Sequence, residues 1–143
     1  MNRALAALSL ALLAAGLTTA CAPTSSDIEE RVLGTVAAGS TLTVTDLLPE
    51  EGAKRFTVAC PYETAADVAA RLDVDAKAAP DLSDRDDAQA LVVVTADGID
   101  ASEFPRDRVD FCSTGGAWPA YSGDADDTLA VTRNDDAVYD VTR

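Results

Sequence analysis

The sequence predicts a small single α+β domain with a largely antiparallel β-sheet and two helices in its N-terminal half. Its 143 residues are about the length of one domain. Apolar residues at helical spacing mark the first half of the chain, whereas alternating apolar residues and turn signals fill the second half. Helices followed by hairpins favour an α+β arrangement. We expect the domain to span residues 27–143, after a leader (1–20) and a short tether (21–26).

The two predicted helices have identifiable start signals. Residues 26–29 fit a capping box and open a helix that we expect to end near Gly39. The alternating segment 55–60 predicts a strand, which Pro61 stops, and Thr64 then caps a second helix. The apolar face of this second helix consists of Ala65, Val68, Ala69 and Leu72.

Most of the remaining strands are predicted from the second half of the chain. Leu91 to Val94 form a continuous apolar run, rich in β-branched residues, that is typical of a central strand, and Asp97-Gly98 suits the hairpin turn that follows it. Residues 108–112 alternate with Val109 and Phe111 facing inwards, and a terminal hairpin turns at 134–136. Two earlier segments complete the interpretation: a short strand at 41–45 and an exposed connection at 73–87.

Charge and composition exclude several classes of function. The chain has 25 Asp and Glu against 11 Lys and Arg, which gives a formal net charge of −14. This charge argues against nucleic-acid binding and against electrostatic adhesion to anionic lipid. The chain contains no histidine, so a Ser-His-Asp triad, a Cys-His pair and an HExxH zinc site are all excluded.

The first 22 residues resemble an export signal. Arg3 is their only charge, and the uncharged stretch that follows is rich in Ala and Leu. Its strongly apolar part, Leu5 to Leu17, is short of the roughly 20 residues that span a bilayer. A buried or membrane helix is the alternative interpretation. The segment ends in Leu17-Thr18-Thr19-Ala20-Cys21, which resembles the lipobox of bacterial lipoproteins, although Thr18 stands where that motif usually has Leu. The resemblance implies that Cys21 is diacylated and becomes the mature N-terminus.

The odd number of cysteines supports lipidation of Cys21. The chain has three cysteines, and acylation of Cys21 leaves Cys60 and Cys112 to form a disulfide. The alternatives are two free buried thiols, and cleavage after Ala22 by ordinary signal peptidase to release a secreted soluble protein.

The stretch that begins with Asp46-Leu47-Leu48 continues with a predicted strand, a Pro-Tyr turn and a short helix. Its residues are Arg55-Phe56-Thr57-Val58-Ala59-Cys60-Pro61-Tyr62, then Thr64-Ala65-Ala66-Asp67-Val68 and Leu72. This pattern resembles a group of small bacterial secreted proteins and lipoproteins, and the Ala-, Asp-, Val- and Arg-rich composition is similar to that of actinobacterial proteins. Members of the group often have a Trp before the strand and a Gly after the helix, where this chain has no Trp and has Asp73. The resemblance carries no assigned activity.

Clustered carboxylates suggest two alternative activities. Asp124, Asp126 and Asp135 imitate part of a calcium loop, but Leu129 replaces the turn glycine, so a solvated loop explains them better. A hydrolase that uses a carboxylate pair needs one buried acid, and nothing in the sequence marks such a pair. We therefore expect no metal, no cofactor and no catalytic residues.

Two aromatic residues stand in the glycine-bounded segment 115–123. Exposed Trp118 and Tyr121 would be typical anchors for a protein or glycan, which makes this segment the candidate binding loop. The interpretation that we favour is that Trp118 folds back to cover the disulfide and close a small core. Tyr62 would line the same patch if the bridge forms.

Together these features predict a lipid-anchored, non-enzymatic protein on the outer face of the cell membrane. We expect its partners to be the membrane, through the N-terminal lipid, and an envelope protein or cell-wall component. Nucleic acid is not among them.

Overall fold

The computed structural model describes residues 25–39, 41–48 and 52–143. Within these residues the chain forms helices α1 (Ser25–Ala37) and α2 (Ala65–Leu72) and eight strands. The strands are β1 (Leu42–Thr43), β2 (Arg55–Ala59), β3 (Ala88–Val94), β4 (Ile99–Pro105), β5 (Val109–Asp110), β6 (Tyr121–Ser122), β7 (Thr128–Arg133) and β8 (Tyr139–Thr142). Both helices lie in the first half, which confirms the predicted α+β class. The predicted leader and Cys21 lie outside the described residues.

The strands form two four-stranded sheets, in the orders β1-β7-β8-β5 and β4-β3-β2-β6. Neighbouring strands are antiparallel except β5 and β8, which are parallel. Leu91 is paired with Val58 on one side and with Ser102 on the other, so the apolar run of β3 occupies a central position as predicted. The predicted hairpin turn after β3 is also present, with the Thr95 N–H donating to the Gly98 carbonyl at 2.9 Å.

Two buried clusters lie on opposite faces of the β4-β3-β2-β6 sheet. The main cluster joins both sheets to α1 and includes Leu91 and Val93 of β3. The second cluster lies against α2 and includes Ala90 and Val92 of the same strand. Because both faces of β3 are buried, its residues are apolar at nearly every position rather than at alternate ones.

Hydrogen bonds at the N-cap explain where α2 begins. The Thr64 hydroxyl accepts from the Asp67 N–H at 3.2 Å, and the Asp67 carboxylate accepts from the Thr64 N–H at 3.2 Å, so the predicted N-cap is confirmed. Helix α1 begins at Ser25, so it includes residues 26–29, where the sequence predicts a capping box.

Two predicted segments differ in part from the structure. The expected strand at 41–45 is limited to β1, because a 3₁₀ turn (Val44–Leu47) begins at once and buries Val44 and Leu47. The expected exposed connection at 73–87 contains a second 3₁₀ turn (Ala76–Ala78), and its Leu82 is fully buried in the cluster against α2.

Within the described part of the chain, neither helix combines the length and apolar character that crossing a membrane requires.

Candidate functional site

A disulfide joins the ends of two strands from different sheets. Cys60 directly follows β2 and Cys112 follows β5, and their Cα atoms are 5.7 Å apart, within the usual range for a disulfide. Cys60 is 7% exposed and Cys112 is 9% exposed. The structure thus has the pairing that the sequence predicted. We refer to this bridge, the turn at 61–63 and the β4–β5 connection (106–108) as the disulfide end.

The backbone of Cys60 is held by a carboxylate that an arginine fixes in place. The Cys60 N–H donates to Glu63 Oε2 at 2.7 Å. Arg71 reaches back from α2 and donates to both carboxylate oxygens of Glu63, with Nη2 3.0 Å from Oε2. This charge-assisted pair closes the turn after β2 onto α2.

Cys112 has the same kind of support from a second pair. Its N–H donates to Asp110 Oδ1 at 2.7 Å, and Arg106 donates to Asp110 through Nε at 3.1 Å and through Nη2 at 2.7 Å. The hydrogen bond to Asp110 raises the pKa of the Arg106 guanidinium above its ordinary value. A carboxylate therefore accepts from the backbone N–H of each half-cystine, and an arginine fixes each carboxylate in place.

A buried amide ties β3 to β5 next to the bridge. Gln89 is fully buried; its Nε2 donates to the Val109 carbonyl at 2.6 Å, and its Oε1 accepts from the Phe111 N–H at 3.0 Å. Gln89 is not among the residues predicted from the sequence. Its one signal is a polar side chain at the start of an otherwise apolar strand.

Tyr62 stands out on the surface of the disulfide end. It is 69% exposed and is the only large hydrophobic side chain so exposed among the described residues. Its φ is +68°, which is unusual for a bulky residue. Its N–H donates to the Leu82 carbonyl at 2.9 Å, and the Leu82 N–H donates to the Glu63 carbonyl at 3.0 Å. The turn therefore presents an exposed ring on a strained backbone, which the hydrogen bonds to Leu82 hold in place.

Trp118 of the candidate binding loop faces inwards. It is 2% exposed, its indole N–H donates to the Phe111 carbonyl at 2.6 Å, and the Arg143 guanidinium lies 5.8 Å from its ring centre. Tyr121 is half-buried and stacks on Phe56 with ring centres 5.4 Å apart, and burial raises the pKa of its phenol. The structure corrects the idea of Trp118 as an exposed anchor, because the ring completes the core beside Phe111.

The three aspartates of the calcium hypothesis do not meet. Asp124 and Asp126 precede β7, whereas Asp135 follows it, and a six-residue strand extends for about 20 Å. Asp124 instead accepts a hydrogen bond from the Ser122 hydroxyl. The described ranges contain no group of three His, Cys, Asp or Glu placed to hold a metal ion.

Two buried carboxylates each face an arginine rather than each other. Asp110 is held by Arg106, and Glu29 Oε2 lies 3.6 Å from Arg108 Nη1. Glu29 Oε1 is buried without a hydrogen-bond partner among the described residues. Burial raises the pKa of Glu29, and the attraction of Arg108 opposes this shift. Neither carboxylate belongs to the kind of acid pair that the hydrolase alternative requires.

A small cleft of about 230 Å³ lies at the start of β3 and the end of β4. It is lined by Arg85, Asp87, Ala88, Glu103, Phe104 and Pro105. Arg85 bridges its two acidic walls, 2.8 Å from Asp87 and 3.6 Å from Glu103. The single arginine of this cleft is therefore paired with both of its carboxylates.

No protein-family model, curated protein or solved structure matches this chain. The resemblance to small bacterial lipoproteins stays a prediction.

Proposed function

We propose that this chain is a lipid-anchored protein of the cell envelope whose domain is a non-enzymatic binding or structural module. The disulfide carries the proposal, because it uses Cys60 and Cys112 and leaves Cys21 as the odd cysteine. A structural disulfide is typical of an oxidising compartment. Acylation gives the remaining thiol a role, and it supplies hydrophobic membrane binding that a net charge of −14 does not favour.

The arrangement of the polar groups at the disulfide end supports a module without catalysis. Glu63 and Asp110 are each committed to an arginine and to a cysteine amide, so both serve to hold the bridge. We propose an envelope protein or a cell-wall component as the partner of the domain on the surfaces that the membrane leaves free.

Intact mass spectrometry of the mature protein from its native membrane tests the anchor. We expect a chain that begins at Cys21, carries diacylglycerol and has the disulfide formed. The Cys21→Ser variant should move from the membrane fraction to the soluble fraction, whereas Thr132→Ser, an exposed and conservative change on β7, should leave the distribution unchanged. A mature chain that begins at Pro23 without lipid would replace the proposal with the secreted alternative.

Cross-linking on intact cells tests the partner. Photo-reactive residues at exposed positions of the β7–β8 turn and of segment 115–123 should form a discrete adduct with one envelope component. Equal labelling of many abundant proteins from every position would argue against a specific partner.

A further inference from the structure

The position of the proposed anchor limits how the domain can sit on the membrane. The described chain starts at Ser25, four residues after Cys21. Four extended residues span at most about 14 Å. A domain held by lipid on Cys21 therefore keeps the start of α1 close to the headgroups.

The start of α1 lies on the same side of the domain as the disulfide end. Glu29, one turn after Ser25, lies 3.6 Å from Arg108 in the β4–β5 connection. Arg106, two residues earlier, supports Cys112 through Asp110, and Cys112 is bonded to Cys60, which stands two residues before Tyr62. Two residues span at most about 7 Å, so Tyr62 and the start of α1 share this side.

We propose that the disulfide end faces the outer leaflet and that the ring of Tyr62 lies among the lipid headgroups. This inference rests on the lipid anchor proposed above. Tyrosine suits that depth because its ring is apolar and its hydroxyl stays hydrated, and it is enriched at membrane interfaces. The fixed turn at 61–63 holds the ring outward before it meets the lipid, so little ordering is needed on contact.

Charge contributes little to this contact. The arginines of this side are each matched by a carboxylate, in the pairs Arg71–Glu63, Arg106–Asp110 and Arg108–Glu29. Exposed Asp86 and Asp107 add negative charge nearby. The orientation therefore follows from the anchor and the ring, and it should not require anionic lipid.

Fluorescence quenching in vesicles tests the orientation. The Tyr62→Trp variant of the full lipidated protein is reconstituted in phosphatidylcholine vesicles whose acyl chains are brominated near the headgroup. The emission of Trp118, measured in the wild type, is subtracted as background. We expect the new tryptophan to lose roughly half of its emission and to be shielded from acrylamide in the aqueous phase.

The matched control is Ala96→Trp in the β3–β4 turn. This exposed position lies at the opposite end of β3 and β4 from the disulfide end, and these seven-residue strands extend for about 20 Å. Its tryptophan should keep its emission and stay accessible to acrylamide. Replacing a quarter of the phosphatidylcholine by phosphatidylglycerol should not increase the quenching at either position.

The outcomes separate this inference from the anchor on which it rests. Protein that floats with the vesicles while the tryptophan at position 62 stays unquenched overturns the orientation and keeps the anchor. Equal quenching at positions 62 and 96, or quenching that requires phosphatidylglycerol, also overturns it. Protein that does not float with the vesicles removes both proposals.

Discussion

At Tyr62 the backbone adopts a conformation that its side chain disfavours. A φ of +68° costs a non-glycine residue about 1–2 kcal/mol, and a bulky side chain does not relieve the clash. Strained residues of this kind cluster at functional positions, because the surrounding structure must hold them in place. Here the surrounding structure is the disulfide and the paired hydrogen bonds to Leu82. This observation supports a role for the ring outside the folded core.

The strain at Tyr62 gives a first prediction. Tyr62→Gly should raise the free energy of unfolding by about 1 kcal/mol, because glycine adopts positive φ without a steric penalty. Urea denaturation measures the change. Tyr62→Ala is the control, since it removes the ring but keeps the strain and should leave stability nearly unchanged. A stability loss in both variants would mean that the ring contributes to folding.

Gly123 gives a second prediction. A Cβ atom at this position would lie 1.8 Å from the carbonyl oxygen of Ala53, which is backbone and cannot move aside easily. Gly123→Ala should therefore lower the free energy of unfolding by about 1–3 kcal/mol. Gly34→Ala is the matched control, because a Cβ there meets open space on a helix and should stabilise α1 by about 0.5–1 kcal/mol. Thermal or urea denaturation checks both, and equal effects would contradict the steric argument.

Asp73 ends α2 in a left-handed backbone conformation. It follows the last residue of α2 with φ +53°. Glycine fits this left-handed conformation best, but aspartate is among the residues that tolerate it.

At the scale of the elements, local chemistry decided which predictions were correct. Helix α2 has a reciprocal cap at Thr64 and an apolar face at helical spacing, and it was predicted from these features alone. The strand expected at 41–45 has alternating residues too, but Asp46 accepts from both the N–H and the hydroxyl of Thr43 and folds the segment into a 3₁₀ turn. A side chain that caps a turn three residues away outweighs a short alternating pattern.

The contact of α1 with the domain gives a third prediction, on pH dependence. Glu29 has a raised pKa because it is buried. A raised pKa in the folded state means that this group contributes stability at low pH, which is lost as the pH rises through the folded-state pKa. Glu29→Gln removes this loss, so the stability of the variant relative to the wild type should increase as the pH rises from 4 towards 7.

Denaturation midpoints across this pH range measure the effect. The control is Glu30→Gln, which removes a carboxylate from an exposed position on the same helix. A Glu29→Gln difference that is flat would show that the pairing with Arg108 cancels the effect of burial, and one that falls as the pH rises would show that the pairing outweighs it.

At the scale of the whole molecule, the disulfide gives a fourth prediction. It closes a loop of 52 residues, so removal of both cysteines should lower the free energy of unfolding by about 4 kcal/mol on the chain-entropy model. The Cys60→Ala/Cys112→Ala double variant tests this by urea denaturation. Cys21→Ala should leave the stability of the domain unchanged while altering its fractionation, which separates the two roles assigned to cysteine.

The sequence by itself determined the fold class, the α2 cap, the central position of β3 and the pairing of Cys60 with Cys112. These features depend on residues close in the chain, on periodicity, or on the number of cysteines. Only the tertiary structure decided that Trp118 is buried, that β7 separates the aspartates, and that Tyr62 is exposed on a strained turn. Each of these depends on contacts between segments that are distant in the chain, such as the hydrogen bonds between Leu82 and the turn at 61–63. A local sequence pattern does not predict such contacts.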